Sequence, residues 1–229
     1  MSIVRKLMPI AAFALTVAPA LAEPITLDSS AIGQSFTLNY NGYSSGTVVD
    51  GLTASTTFTL TGVTGTGYTF DYALNNTTSS PLTSRVSGFG FDTDPNISSA
   101  SSTGAYAFTT LNSSYPNGIG SIDVCFKDAN TGSCSGGGSG GLAEGTSGTG
   151  SFTLNFASAI AALTLDNFHV RYQSITGAGG ISSASGDVTT SSSGGTSVPK
   201  PGMLGMMGGA VAALALLRRR KLAPALALA

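Results

Sequence analysis

Residues 68–74, Tyr68-Thr69-Phe70-Asp71-Tyr72-Ala73-Leu74, carry a large apolar side chain at every second position. A period of two is typical of a β-strand that packs one face on a core and turns the other toward water. The same alternation recurs in five further segments, at residues 36–40, 52–60, 122–126, 152–156 and 168–172. Weaker candidates at residues 86–91, 106–110 and 160–165 bring the expected number to about nine strands.

The composition also favours an all-β domain. Ser, Thr, Gly and Asn fill the positions between the apolar residues, the chain has no Trp, and only 9% of its residues are charged. Few strong helix formers occur in the body of the chain, whereas β-branched and aromatic residues fit a pleated sheet. We therefore predict an antiparallel two-sheet sandwich or jelly roll over residues 23–176. A closed barrel is the alternative, because alternation fixes neither the strand order nor the closure of the sheet.

The charge of this body is strongly negative. All eleven acidic residues lie between Glu23 and Asp187, and only Arg85, Lys127 and Arg171 oppose them there, which gives a formal charge of −8. Because phosphate binding needs clustered Lys and Arg, we do not expect nucleic acid among the partners.

The N-terminus has the pattern of a secretory signal. Arg5 and Lys6 precede an apolar run that ends in the small residues Ala20-Leu21-Ala22. This order predicts a signal helix over residues 1–22 that enters the Sec translocon and is cleaved, so that the body is exported.

The C-terminus predicts a membrane anchor. Sixteen apolar residues, 202–217, precede the basic cluster 218–221. As a helix they would span about 24 Å, a minimal transmembrane helix in the inner membrane with its basic end in the cytoplasm. Residues 177–197 are rich in Gly, Ser and Thr and are predicted to be a flexible linker between the body and the segment 198–229.

Cys125 and Cys134 are the only cysteines. In an exported protein, a pair nine positions apart predicts a disulfide that stabilises the fold by about 2.5–3 kcal/mol. Metal ligation and a reactive thiol are the alternatives, but structural zinc usually takes four Cys or His ligands. The glycine-rich run 136–141 lacks the Gly-Lys-Ser/Thr ending of a phosphate-binding loop and is predicted to be a mobile loop tip.

His169, Arg171 and Gln173 alternate with core residues of one predicted strand and would share its opposite face. They form a candidate ligand strip, with a solvated or cross-strand hydrogen-bonded row as the alternative. The single His permits a Ser-His-Asp set, but no Gly-x-Ser-x-Gly turn supports one, and sequence cannot pair Glu144 with an aspartate at the separation that a glycosidase needs. We therefore expect a protein without catalytic activity or cofactor.

Asp92, Asp94 and Asn96 place three oxygen-bearing side chains within five residues. This is a fragment of a calcium-binding loop without the later Glu, and so only a weak calcium candidate. An Asx turn that opens a loop is the favoured interpretation, and no metal site is expected.

The tail resembles a known sorting signal. Its Val198-Pro199-Lys200-Pro201 box, glycine-containing apolar segment and Arg218-Arg219-Arg220 cluster resemble the PEP-CTERM signal of Gram-negative bacteria. The resemblance implies recognition by an exosortase, a membrane-embedded cysteine transpeptidase-like enzyme, and a link to exopolysaccharide, biofilm or floc production. Lys200 departs from the family, which has Glu there, and residues 222–229 extend beyond the usual end.

The body is similar to the small "cistern" group of PEP-CTERM proteins in four segments, residues 84–91, 124–126, 134–142 and 170–175. This similarity implies an exported domain with paired cysteines and no established enzymatic role. We therefore expect a structural protein of the cell envelope or extracellular matrix, anchored at least transiently by its tail and associated with exopolysaccharide. The alternatives are a carbohydrate-binding module that uses Tyr and polar residues on a sheet face and, more weakly, a secreted hydrolase.

Overall fold

The structure, a computed structural model, describes residues 24–193. The predicted signal helix and the sorting segment 198–229 lie outside this range. Within it, no helix is both long and apolar enough to cross a membrane.

Residues 24–193 fold into fourteen strands and two short 3₁₀ turns, so the prediction of an all-β domain is confirmed. Five of the strands have only two to four residues. The strands are β1 Ile25–Leu27, β2 Ser35–Tyr40, β3 Tyr43–Ser44, β4 Thr47–Val48, β5 Ala54–Val63, β6 Gly67–Asn76, β7 Thr83–Asp94, β8 Ser99–Ser102, β9 Phe108–Tyr115, β10 Gly120–Lys127, β11 Leu142–Ala143, β12 Ser147–Asn155, β13 Leu163–Thr176 and β14 Ala184–Ser193. The 3₁₀ turns are Ser29–Ala31 and Gly104–Tyr106.

The strands form one continuous antiparallel sheet in the order β8-β12-β6-β5-β2-β14-β13-β7-β10-β9. Its two ends lie side by side, where Thr109 Oγ1 on β9 donates to the carbonyl of Ala100 on β8 at 3.3 Å. The sheet is therefore nearly closed and barrel-like, which differs from the predicted pair of separate sheets and is nearer to the alternative prediction.

Strand β14 is the reason for this continuity, and over residues 184–193 it corrects the prediction of a flexible linker at 177–197, whose last four residues lie outside the described range. Its first half pairs with β13, where Asp187 lies opposite His169, and its second half pairs with β2, where Val188 lies opposite Tyr40. Its hydroxyl-rich composition suggested a tether, but each half of its backbone is paired with a neighbouring strand, and pairing rather than apolar content orders it.

Aromatic rings fill the interior of the sheet. Phe152 on β12 meets Phe126 on β10 with ring centroids 4.5 Å apart, and Phe58 on β5 meets Phe89 on β7 at 5.5 Å. These four side chains are at most 1% exposed. The interior is therefore a packed, largely aromatic core.

Candidate functional site

The outer side of β7, β10 and β13, here named the covered wall, holds the predicted disulfide and ligand strip. A small second core of Tyr115, Ile122, Cys125 and Cys134 lies on it, separate from the main core. The Cys125–Cys134 disulfide is confirmed, with Cα atoms 5.7 Å apart and both residues 1% exposed. It fixes the start of the connection between β10 and β11 against the wall.

The glycine-rich run 136–141 in this connection is not the mobile tip that its composition predicts. Arg85 Nη1 donates to the Gly141 carbonyl at 3.0 Å, and Gln173 Nε2 and Ser174 Oγ donate to the carbonyls of Ser135 and Gly138. The glycines are needed because the backbone lies directly on β7: a Cβ at Gly136, whose φ is +69°, would lie 2.5 Å from the Ser87 carbonyl oxygen. The run is a flap held down by the wall.

Two charged residues at the end of β10 hold the connection to β11, Lys127 at the disulfide-closed loop and Asp128 at the flap. Lys127 is 1% exposed, and its ammonium donates to Thr110 Oγ1 at 2.6 Å, to Ser133 O at 2.9 Å and to Thr131 O. Burial lowers the pKa of Lys127. These oxygens belong to the disulfide-closed loop and to β9, so the ammonium acts as an internal crosslink.

Asp128 holds the other side of the flap. Its Oδ1 accepts from Gly137 N at 2.7 Å, whereas its buried Oδ2 has no hydrogen-bond partner among the described residues. Burial raises the pKa of this carboxyl group against the opposing effects of the Gly137 amide and the Arg85 and Lys127 charges. A Cβ at Gly140 would lie 2.0 Å from Asp128 Oδ2, so a larger residue there would displace this carboxylate.

The predicted ligand strip divides between two internal roles. His169 and Arg171 are each 6% exposed, so neither the solvated row nor an open ligand strip describes them. Gln173 is partly buried and holds the flap, as above. The strip does face away from the main core, but the flap and the β9–β10 turn cover it.

His169 lies in a polar cluster with partners from β14, from β9 and from its own strand, β13. Its Nδ1 is 2.8 Å from Asp187 Oδ1 on β14, close enough for an ion pair although the two are not aligned as a hydrogen bond. Its Nε2 lies 2.9 Å from Asn167 Oδ1, and its ring packs on Tyr115 with centroids 5.4 Å apart. A general base would present Nε2 to a serine, so this geometry does not assemble the Ser-His-Asp set considered above.

Arg171 binds backbone and amide oxygens rather than a carboxylate. Its Nη1 donates to the Ala184 carbonyl at 2.9 Å and, in the amide orientation that satisfies its neighbours, to Asn117 Oδ1 at 2.9 Å. Burial lowers the pKa of this guanidinium and raises that of Tyr115 well above its ordinary value. Arg171 therefore fastens β14 and the β9–β10 turn to β13.

Tyr43 adds a titratable group beside this cluster. Burial, with a smaller contribution from the Asp187 charge, raises the pKa of its hydroxyl to about 12. The hydroxyl is therefore protonated at neutral pH.

The weak calcium candidate is also used internally. Asp92 Oδ1 accepts from Asp123 N at 3.0 Å and its Oδ2 accepts from Asn167 Nδ2 at 2.8 Å. Asp92 and Asp94 lie within β7, which corrects the predicted Asx turn, and Asn96 lies beyond the strand. In residues 24–193 no group of three His, Cys, Asp or Glu side chains is placed to hold a metal ion.

Sequence reasoning missed the partners that complete the strip: Tyr115, Asn117 and Asp187. The sequence does give a signal at Asn117, because Pro116-Asn117-Gly118 is typical of a turn. In the structure its φ is +64°. Asp187 has a weaker one, since it precedes the β-branched run Val188-Thr189-Thr190. Which wall such a turn or strand covers depends on contacts between distant parts of the chain.

These features define an all-β domain with a disulfide-clipped, flap-covered wall. Comparison of the chain with protein-family models, with curated proteins and with solved structures finds no match. A function must therefore be inferred from the residues of this chain.

Proposed function

We propose that the chain is an exported structural protein of the cell envelope or extracellular matrix, associated with exopolysaccharide and sorted by its PEP-CTERM-like tail. An exosortase-type enzyme is its processing partner, and the inner membrane holds the tail at least transiently. The body performs no catalysis and serves as a stable extracellular module.

One observation supports this proposal most directly: the polar groups of the covered wall bind the protein's own backbone. Arg85, Lys127, Arg171 and Gln173 each donate to main-chain carbonyls of a loop or neighbouring strand. Such contacts hold loops and strands together, which suits a module that must remain folded outside the cytoplasm, away from its chaperones.

The disulfide supports the exported location. Cys125 and Cys134 are bonded and buried, and such bonds persist in oxidising compartments outside the cytoplasm. Non-reducing mass mapping of the mature protein tests this point, and free thiols there would contradict it.

Cell fractionation tests the sorting signal. The full chain is expected in the membrane and envelope fraction, and deletion of residues 198–229 should release the body into the soluble exported fraction. A Lys200→Glu variant, which has the residue usual in PEP-CTERM signals, serves as the matched control and should be retained and processed like the natural chain. Unchanged retention of the deletion variant would refute the tail as anchor.

An exosortase-null strain separates sorting from simple anchoring. Loss of the enzyme should leave the full-length chain in the inner membrane, with its tail uncut by mass. An identical product in both strains would reduce the tail to a plain membrane anchor.

Carbohydrate binding remains the second candidate, in a changed form. Six of the seven tyrosines are buried, at 2% exposure or less, and only Tyr43 is partly exposed, so they provide no aromatic platform on the surface of residues 24–193. What favours this function is instead the hydroxyl-rich outer face of the sheet, developed below. The weaker hydrolase candidate gains no supporting geometry at His169, and turnover lost on His169→Ala or Glu144→Ala would revive it.

A further inference from the structure

One outer face of the nearly closed sheet has a uniform chemistry. It is formed by the outward side chains of β2, β5, β6 and β12, here named the hydroxyl face. In the ranges 35–39, 55–59, 69–75 and 147–153 these positions carry Ser, Thr and Asn, with one Asp and one Ala. None of them carries an aromatic ring or a positive charge.

The hydroxyls of this face are arranged in register across the strands. Ser35 pairs with Thr59 at 2.7 Å, Thr37 with Thr57 at 2.8 Å and Thr69 with Thr153 at 3.1 Å between oxygens. Neighbouring strands lie about 4.8 Å apart and successive outward residues about 6.8 Å apart along a strand. The face is thus a fixed two-dimensional grid of donors and acceptors.

The grid has one depression, a groove of about 410 Å³ over β5, β6 and β12. Ala73 forms its floor, because it lies opposite Thr57 on one side and Thr149 on the other and is smaller than both. The exposed carboxylate of Asp71 lies one outward position away, opposite Thr59 and Ser151. The groove has the size of a small-ligand site, its lining combines hydroxyl oxygens with the methyl groups of Ala73 and the threonines, and Asp71 is its one charged residue.

The charge and chemistry of the groove select its occupant. An anionic polymer would meet the Asp71 carboxylate, no cation on this face and a body of formal charge −8. An apolar partner would remove water from the Asp71 carboxylate and from the free hydrogen-bonding capacity of the hydroxyls without replacing those bonds. An uncharged, hydroxyl-rich chain can exchange hydrogen bonds with the threonines and donate two hydroxyls to the carboxylate.

We propose that this groove binds a neutral polysaccharide, with Asp71 as the principal acceptor and Ala73 as the floor on which a sugar ring lies. The inference rests on the proposed function as a matrix component and names the polymer class that such a component would hold. Thr57, Thr59, Thr149 and Ser151 complete the recognition.

Binding of the full chain in detergent micelles to soluble polysaccharides tests the proposal. Laminarin, dextran and galactomannan are the neutral probes, and alginate is the anionic one. We expect saturable binding to at least one neutral polymer and weaker binding to alginate at the same salt concentration. Absence of binding to all three neutral polymers, or tighter binding to alginate, would overturn the proposal.

Two groove variants locate the site. Asp71→Asn should weaken binding about tenfold because a charged acceptor becomes neutral, and Ala73→Gln should abolish it by filling the floor. The matched controls are Asp50→Asn, an exposed carboxylate before β5, and Ala157→Gln, an exposed alanine after β12. Both controls should bind as the natural chain does.

A thermal melt of each variant excludes unfolding as the cause, since the exposed substitutions should leave the melting temperature nearly unchanged. Full binding by both groove variants would place any glycan site elsewhere and refute this one. Fractionation distinguishes the two proposals. If the protein is exported but binds no neutral glycan, the proposed function stands and the groove proposal is refuted. If it binds glycan through the groove but is not exported, the groove proposal stands and the proposed function is refuted.

Discussion

The covered wall and the hydroxyl face are both outer surfaces of the same nearly closed sheet, yet they treat polar residues in opposite ways. On the hydroxyl face, alternate residues such as Thr57 and Asp71 remain at the surface. On the covered wall, the corresponding positions of β13 hold His169 and Arg171, which are buried beside β14 and the β9–β10 turn.

This difference shows where the strength of the fold lies. Hydroxyl pairs at the surface exchange one set of hydrogen bonds with water for another and contribute little. Buried groups such as Lys127 must be satisfied by the protein, so each holds a segment in place, and the segment is lost if the group is removed. The covered wall is therefore a set of interdependent contacts, whereas the hydroxyl face is left available to a ligand.

The two surfaces share one support, the aromatic core, where the largest effect is expected. Phe152→Ala removes a ring of β12 that meets Phe126 of the covered wall at 4.5 Å and Phe58 at 5.8 Å. A cavity in so closely packed an interior should lower the free energy of unfolding by about 3–5 kcal/mol. Urea denaturation measures it.

Phe108→Ala is the matched control, because Phe108 is 41% exposed and should cost less than about 1 kcal/mol. Equal effects for the two variants would show that the stability of the covered wall and of the hydroxyl face does not depend on this core.

Removal of the disulfide should destabilise the covered wall more than the hydroxyl face. Replacing Cys125 and Cys134 together by Ala should lower stability by about 2.5–3 kcal/mol through the closed loop, with some further loss from the small second core. Hydrogen exchange should quicken in residues 128–141 while β5 and β6 keep their protection. Uniform acceleration across both surfaces would mean that the flap is no separate unit.

The contrast also explains what the sequence could predict. Alternation at Tyr68, Phe70 and Tyr72 identified β6 because one buried face and one solvated face leave a period of two in the sequence. Along β13 the residues from Phe168 to Tyr172 are all buried, so the same pattern still predicted a strand but assigned the wrong environment to its polar side. Coverage by a distant loop leaves no local signal.

The predictions for strand β14 and for the flap were wrong for a related reason. Gly, Ser and Thr predict disorder when hydrophobic burial is the only source of order considered, but Ala184–Ser193 is ordered by ladder hydrogen bonds, to β13 in its first half and to β2 in its second. In the flap, Gly136 is required by close contact with β7 rather than by mobility. The pairing of Cys125 with Cys134 could be predicted because two cysteines allow only one intrachain bond.

Gly186 tests the correction of β14 with a smaller effect. A Cβ there would lie 2.4 Å from the Asn41 carbonyl oxygen and 2.7 Å from Val170 Cγ2, so Gly186→Ala should cost about 1–3 kcal/mol by overpacking the seam. Gly62→Ala on β5 is the matched control, since its Cβ would meet only Thr69 Cβ at 3.8 Å. Chemical denaturation should find Gly62→Ala neutral or slightly stabilising. A Gly186→Ala variant as stable as the natural chain would support the original prediction that this segment is a flexible linker.

The smallest expected effect concerns the pH dependence of the flap. Because burial raises the pKa of Asp128 above 3.8, folding favours the protonated carboxyl, and its contribution to stability rises as pH falls from above the folded pKa toward 3.8. Asp128→Asn keeps an oxygen for Gly137 N and removes the buried charge. At pH 7 the variant should be more stable than the natural chain by a few tenths to about 1 kcal/mol, and this advantage should shrink toward pH 4. Urea midpoints at the two pH values measure the change, with Asp50→Asn as the control for net charge.

The opposite result would be a variant that is less stable than the natural chain at pH 7, with a deficit that shrinks toward pH 4. It would show that ionised Asp128 is a favourable partner of Arg85 and Lys127. The flap would then be held by charge pairing rather than by backbone hydrogen bonds.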